Sequence, residues 1–143
     1  SQGEGLLLNF YEALFLLSKG VIRVLDEETG KEVSFQELLR RFQEVDENAW
    51  VRYLIYRDLR GRGYVAREGF GLGLDFRVYE RGKYGKEAAK YLIFGILEGR
   101  PVPLEELARA LRYVQTLKKR LILAVLNRRG EVVYYSLSQL TLK

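Results

Sequence analysis

Tyr53-Leu54-Ile55-Tyr56-Arg57-Asp58-Leu59-Arg60-Gly61-Arg62-Gly63-Tyr64-Val65-Ala66-Arg67 is the stretch in which the chain changes its period. Up to Arg60 the residues repeat as a helix does. Trp50, Tyr53, Leu54 and Ile55 are expected to turn to a core, with Arg52, Arg57, Asp58 and Arg60 outward. Gly61 and Gly63 stop that helix, which is expected over Ala49–Arg60. From Tyr64 the period is two, and Tyr64–Arg67 reads as a strand. Downstream, Gly69, Gly71 and Gly73 read as a turn. Asp75-Phe76-Arg77-Val78-Tyr79 alternates, with Phe76 and Val78 on one face and Asp75, Arg77 and Tyr79 on the other. Lys90–Leu97 and Leu121–Leu126 are apolar runs of the kind found in central strands. Between them, Pro103 with Glu105 and Glu106 opens a helix that runs to about Leu117. Asn127-Arg128-Arg129-Gly130 is a hairpin turn, Glu131–Leu137 its second strand, and Gln139–Lys143 a possible last one.

Upstream, Gly5–Ser18 reads as a helix ended near Gly20. Val21–Leu25 reads as a short strand, Asp26–Gly30 as a turn. Ser34-Phe35-Gln36-Glu37 is a capping box for a helix to about Val45. The fold class is therefore α/β of the α+β kind: a small, mainly helical N-terminal domain over residues 1–47, then a mixed sheet flanked by helices over residues 48–143.

The 143 residues are 48% hydrophobic and 30% charged, the composition of a chain that folds around a core. There is no Cys and no His, which excludes disulfides, thiolate or imidazole zinc sites and His-based proton transfer. A net charge of +5 and a pI near 9.5 suit a polyanionic partner. Dense Glu, Lys, Arg and Tyr fit a hot environment. The apolar runs near the N-terminus are interrupted by Asn9, Tyr11 and Glu12, too short to span a bilayer, so no membrane association is expected and the cytoplasm is the expected location. The chain has no Met, which points to a trimmed N-terminus.

Gly71-Leu72-Gly73 lacks the third glycine and the following helix of a dinucleotide loop. No acid stands two residues before a Lys in a later strand, as a metal-dependent nuclease requires after an acid such as Asp75. The Gly-aromatic signature of an RNA-binding sheet is missing too.

Five ordered blocks carry a more specific signal. They are Tyr53–Tyr64, Gly73-Leu-Asp-Phe-Arg-Val-Tyr79-Glu-Arg-Gly82, Lys86-Glu-Ala-Ala-Lys-Tyr-Leu92, Lys118-Lys119-Arg120-Leu-Ile-Leu-Ala124 and Glu131-Val-Val-Tyr-Tyr135. Together they resemble the archaeal-type tRNA-splicing endonuclease family, weakly in the N-terminal half. The resemblance implies a metal-independent, cofactor-free RNA endonuclease, a tRNA-intron lyase with a nuclease-type C-terminal domain. Its substrate would be precursor tRNA, cut at a bulge–helix–bulge element to a 2′,3′-cyclic phosphate and a 5′-hydroxyl. In the family a Tyr, a His and a Lys do this work. Tyr79 matches the Tyr and Lys119 the Lys, whereas the His position falls on Ala88. Taken alone, Tyr79 reads as an ordinary strand aromatic and Lys119 as a cation beyond a helix C-terminus. Loss of a general base typically costs roughly a hundred- to ten-thousand-fold, so near-inertness is expected. Arg112 matches a base-stacking Arg, against a plain reading as a solvated helix charge; Arg128 and Arg129 are candidates for a second one by exposure alone. The resemblance also implies oligomers: a homodimer through the C-terminal strands around Val132–Tyr135, and a second, different subunit completing a heterotetramer. The loop Leu126–Gly130 is basic where the family's non-catalytic subunits carry an acidic one, which favours a catalytic-type subunit over a purely structural assembly subunit.

Overall fold

The computed structural model describes residues 8–140. The chain divides into two compact units, 1–53 and 54–143.

The first unit holds α1 (Phe10–Ser18), β1 (Val24–Leu25), β2 (Glu32–Val33), α2 (Phe35–Val45) and the first residues of α3 (Ala49–Gly61). Helix α1 starts later than the sequence suggests. Leu8 and Asn9 are not helical, Asn9 is the N-cap, and Glu12 Oε1 accepts from its backbone N–H at 3.1 Å; residues 5–7 lie outside the described ones. The strand expected over Val21–Leu25 is reduced to two residues, paired antiparallel with β2, which the sequence pattern did not reveal. Between them Asp26 Oδ1 accepts from Glu28 N at 2.9 Å and Thr29 N at 3.1 Å, the self-capping turn typical of Asp. Ser34 caps α2 by accepting from Glu37 N at 3.2 Å. Glu37 does not return the bond; its carboxylate faces Arg40 at 2.6 Å and Arg41 at 3.0 Å. Tyr11, Leu14, Val33, Leu38, Leu39 and Tyr53 form the buried interior of this unit. Trp50, expected there, is 38% exposed and stacks on Tyr53 at 5.7 Å. An indole is large enough to cover its neighbour while keeping one face in water.

The second unit continues α3 and adds β3 (Val65–Gly71), β4 (Leu74–Tyr79), β5 (Tyr91–Leu97), α4 (Leu104–Thr116), β6 (Arg120–Leu126) and β7 (Val132–Leu137). The five strands form one mixed sheet in the order β3-β4-β5-β6-β7. Only β5 and β6 pair in parallel, across the crossover through α4. They are the apolar central strands, as their composition predicts. Leu74, Leu92, Phe94, Ala110, Leu111, Val114 and Leu121 form the core on the α4 side of the sheet. On the other side α3 brings Tyr56 to Phe76 at 6.0 Å. The tail after Leu137 adds no strand over Ser138–Leu140, and residues 141–143 lie outside the described ones. No helix among the described residues is long and apolar enough to cross a membrane.

Strands β3 and β4 depart from the expected pattern in two places. The turn between them is Leu72–Gly73 alone, with Gly69 and Gly71 inside β3. A bulge in β4 shifts the register from Leu74↔Phe94 to Phe76↔Ile93. The extra residue is Asp75, which leaves the face of Arg77 and Tyr79 on which alternation puts it. Its Oδ2 accepts from Gly95 N at 3.0 Å. A side chain at Gly95 would collide with that oxygen and with Ile55 Cδ1 of α3, so the carboxylate lies on the α3 side and only glycine fits opposite it.

Helix α3 is tied to β7 by a polar knot. Tyr134 Oη donates to Asp58 Oδ2 at 2.6 Å, Arg62 Nε donates to the same oxygen at 2.7 Å, and the Arg62 guanidinium lies 5.1 Å from the Tyr134 ring centre. Burial, and then the Asp58 carboxylate, push the Tyr134 phenol well above its ordinary range. Native Tyr134 therefore keeps its proton where an unfolded tyrosine, with a pKa of about 10, begins to lose it. The stabilisation is full below pH ~10 and is lost as pH rises beyond it. Urea denaturation of Tyr134→Phe should show a loss of about 1.5–3 kcal/mol near neutral pH, the usual worth of a hydrogen bond to a charged group. The gap between the two proteins should narrow above pH ~10. A gap independent of pH up to ~11 would mean that Tyr134 does not titrate as its surroundings demand.

Candidate functional site

Three strand ends meet at one end of the sheet. Tyr79 is the last residue of β4, and Lys90 N donates to Val78 O beside it at 3.3 Å. Arg120 N, at the start of β6, donates to Lys90 O at 3.1 Å. Lys119 sits immediately before β6, and its Nζ donates to the backbone carbonyl of Ala89. The chain reaches Lys119 through a tight exit from α4: Lys118 has φ +57° and Lys119 N donates to Val114 O at 3.2 Å. That left-handed residue after a helix is the usual C-terminal reversal, here built on Lys instead of Gly. Lys119 is consequently half-buried and held beside the segment that precedes β5.

Ala88 lies in that segment. The strand expected over Lys90–Leu97 begins one residue later, at Tyr91, and Ala88 is exposed ahead of it between Glu87, a bridge partner of Tyr84, and buried Ala89. The loop wraps on itself: Lys83 N donates to Glu80 O at 3.0 Å, and Lys86 N and Glu87 N to Lys83 O at 2.9 and 3.0 Å. It also returns a ring to the site. Tyr84 packs edge-to-face on Tyr79 with centroids 4.9 Å apart, and the Arg67 guanidinium of β3 lies 4.9 Å from the Tyr84 ring centre. Sequence reasoning passed over Tyr84 and Arg67. Their only signal was an aromatic inside a Gly/Lys-rich loop.

The sheet end thus joins Tyr79, the backbone at residues 88–89 and Lys119. Arg112 is not drawn into that cluster. It lies on the exposed face of α4, between buried Leu111 and Val114, and makes no hydrogen bond, ion pair or ring contact among the described residues. Arg128 and Arg129 stand beyond the opposite end of β6, about 20 Å from Lys119 by the rise of a seven-residue strand. Arg128 is also engaged there, its backbone N donating to Glu98 Oε1 at 3.1 Å.

Chemically, the cluster offers a phenol, an ammonium group and surrounding cations. Lys90 faces Glu80 at 3.8 Å and Lys83 faces Glu87 at 3.3 Å, so these carboxylates have cationic partners. Lys86, Lys118 and Arg120 are exposed beside them. Such an end attracts a polyanion and can stabilise added negative charge, but it holds no imidazole, since the chain has no His.

Residues 49–134 match the family model described as tRNA intron endonuclease, catalytic C-terminal domain, and residues 1–39 that of the tRNA intron endonuclease N-terminal domain. The tRNA-splicing endonuclease of Methanococcus maripaludis is 39% identical over 96% of this chain and 77% of its own length. That of Pyrococcus furiosus is 35% identical over 94% and 76%. That of Hyperthermus butylicus is 40% identical over 91% and 71%.

Proposed function

The chain belongs to the tRNA intron endonuclease family, and from that premise we propose that it is a tRNA-splicing endonuclease subunit of the catalytic type whose cleavage chemistry is disabled at Ala88. The observation that carries this reading is the meeting of Tyr79, residues 88–89 and Lys119 at one sheet end inside the segment that matches the catalytic domain. The substrate is precursor tRNA at a bulge–helix–bulge element. The reaction is an attack of the 2′-oxygen on the adjacent phosphorus. A new P–O2′ bond forms, the P–O5′ bond breaks, and the products are a 2′,3′-cyclic phosphate and a 5′-hydroxyl. The 2′-proton must go to a base and a proton must reach the leaving 5′-oxygen.

Tyr79 is assigned to the leaving oxygen as donor or orienting group. Lys119 is assigned to the charge that develops on the phosphate. Its ammonium has three donors, and the bond to Ala89 O occupies one of them. Residue 88 is the place of the base, and a methyl group accepts no proton. The chain as it stands binds and does not cut. No metal or cofactor enters the scheme. A second reading, a non-catalytic assembly subunit of the same kind of complex, is favoured by Ala88 itself.

Three measurements test the proposal. Ala88→His, supplied with its partner subunit, should cleave bulge–helix–bulge RNA in EDTA and leave a cyclic phosphate end. Tyr79→Phe and Lys119→Ala in that background should each slow it. Inactivity, or activity only with added metal, would favour the assembly-subunit reading.

RNA binding by the unaltered chain should weaken steeply with salt, as phosphate contacts release counterions. Arg112→Ala should weaken binding to bulged RNA more than to plain duplex, because a guanidinium stacks on unpaired bases. Equal losses on both would leave Arg112 a phosphate contact.

Assembly is proposed to begin with a homodimer through β7, which is an edge of the sheet, with a different second subunit completing a heterotetramer. Val133 and Tyr135 are its exposed large hydrophobic residues, at 40% and 55%, whereas Val132 is buried and Tyr134 turns to Asp58. Light scattering of a Val133→Asp/Tyr135→Asp chain should give monomers where the parent gives dimers. A dimer that survives both changes lies elsewhere.

A further inference from the structure

We propose that Tyr84 is the positioning residue for Tyr79, clamped in turn by Arg67, and that this ring stack sets the aim of the Tyr79 hydroxyl. The inference rests on the cleavage reading above. Tyr79 ends its strand and is only half-buried, so β4 fixes its backbone but leaves its ring open on one side. The wall on that side comes from the loop. Tyr84 meets Tyr79 at 4.9 Å with the ring planes 77° apart, the edge-to-face arrangement that aromatic quadrupoles favour.

Tyr84 is itself 47% exposed and would be a weak support alone. It is backed by Arg67, whose guanidinium lies 4.9 Å from its centroid. The sheet register explains why Arg67 goes there. Arg67 pairs with Arg77 across β3 and β4, and two cations directly opposite repel. They part in opposite directions. Arg77 moves over Phe70 at 5.6 Å and donates from Nε to Glu68 O at 3.0 Å; Arg67 moves to Tyr84. Tyr84 is also the bridge partner of Glu87, the residue before Ala88. One residue therefore meets the ring of Tyr79 with its side chain and the segment that carries position 88 with its backbone. Reaction rates are sensitive to such aim, since a misplacement of about 1 Å can cost roughly a hundredfold.

The experiment uses two arms. In the unaltered chain, NMR should show ring-to-ring NOEs between Tyr79 and Tyr84. Tyr84→Ala should shift the Tyr79 ring resonances while leaving the thermal midpoint close to that of the parent; Tyr84→Phe should leave both in place. In Ala88→His with its partner subunit, Tyr84→Ala should lower kcat about tenfold to a hundredfold with KM little changed, and Tyr84→Phe should restore the parent rate. Missing NOEs would overturn the proposal. So would a Tyr84→Ala enzyme as fast as its parent, or a Tyr84→Phe enzyme as slow as Tyr84→Ala. If Tyr84→Ala fails to slow an enzyme that Tyr79→Phe does slow, the positioning role alone falls and the cleavage site stands. If Ala88→His never cleaves, the cleavage reading falls and this role with it.

Discussion

Parallel pairing of β5 with β6 decides where the two lysines beside the candidate site stand. Tyr91 faces Arg120 in that register, so the residues just before both strands, Lys90 and Lys119, arrive side by side. Antiparallel pairing would have sent Lys119 to the far end of the sheet. Parallel strands need a crossover, and α4 provides it while packing Ala110, Leu111 and Val114 on the same sheet face as Leu92 and Leu121. The apolar core and the register are thus one constraint. Slipping β6 by one residue would turn Leu121 away from α4 and move Lys119 off the Ala89 carbonyl together. The reversed turn at Lys118 and the hydrogen bond from Lys119 to Val114 are how the chain meets that demand after a helix only thirteen residues long.

The bulge at Asp75 does comparable work one strand away. Without it Leu74 and Phe76 would face the same side, and one of the two cores would lose a large residue. With it Leu74 joins the α4 cluster and Phe76 meets Tyr56 of α3. The displaced carboxylate is satisfied by Gly95 N, so the strand accommodates a charged residue next to its core. Beyond the bulge the alternation is regular through Tyr79, which is what leaves Arg77 and Tyr79 together on the face opposite Phe76 and Val78.

Much of this was legible along the chain, because long periodic segments report the faces they bury. The helix beginning at Ala49, the apolar strands β5 and β6, and α4 behind Pro103 each span several repeats of their period. Two-residue strands such as β2 contain no period to read. Trp50 was misplaced since helical spacing says which way a ring points, not how much of it stays wet. Asp75 was misplaced since a bulge is a tertiary adjustment that makes room for two cores. At the candidate site the limit is different in kind. Tyr79 and Lys119 were singled out through a family resemblance, whereas the bond from Lys119 to Ala89 spans thirty residues and has no local signature. Ala88 has no chemistry of its own to announce a site, and Tyr84 looks like any loop aromatic until Tyr79 and Arg67 are placed against it.

The electrostatics of the sheet end separate binding from turnover. Lys90 stands just before β5, and Lys119 and Arg120 stand at the start of its neighbour β6, so a phosphodiester approaching them gains attraction from three cations. Cleavage additionally requires that a 2′-hydroxyl lose its proton, an event that nearby cations assist but do not accomplish. Imidazole is the side chain whose ordinary range lets it accept such a proton near neutral pH, and the chain has no His. The carboxylates of this end, Glu80 and Glu87, face Lys90 at 3.8 Å and Lys83 at 3.3 Å in exposed ion pairs. On the cleavage reading proposed above, retention of RNA and its turnover separate at a single side chain, the one at position 88.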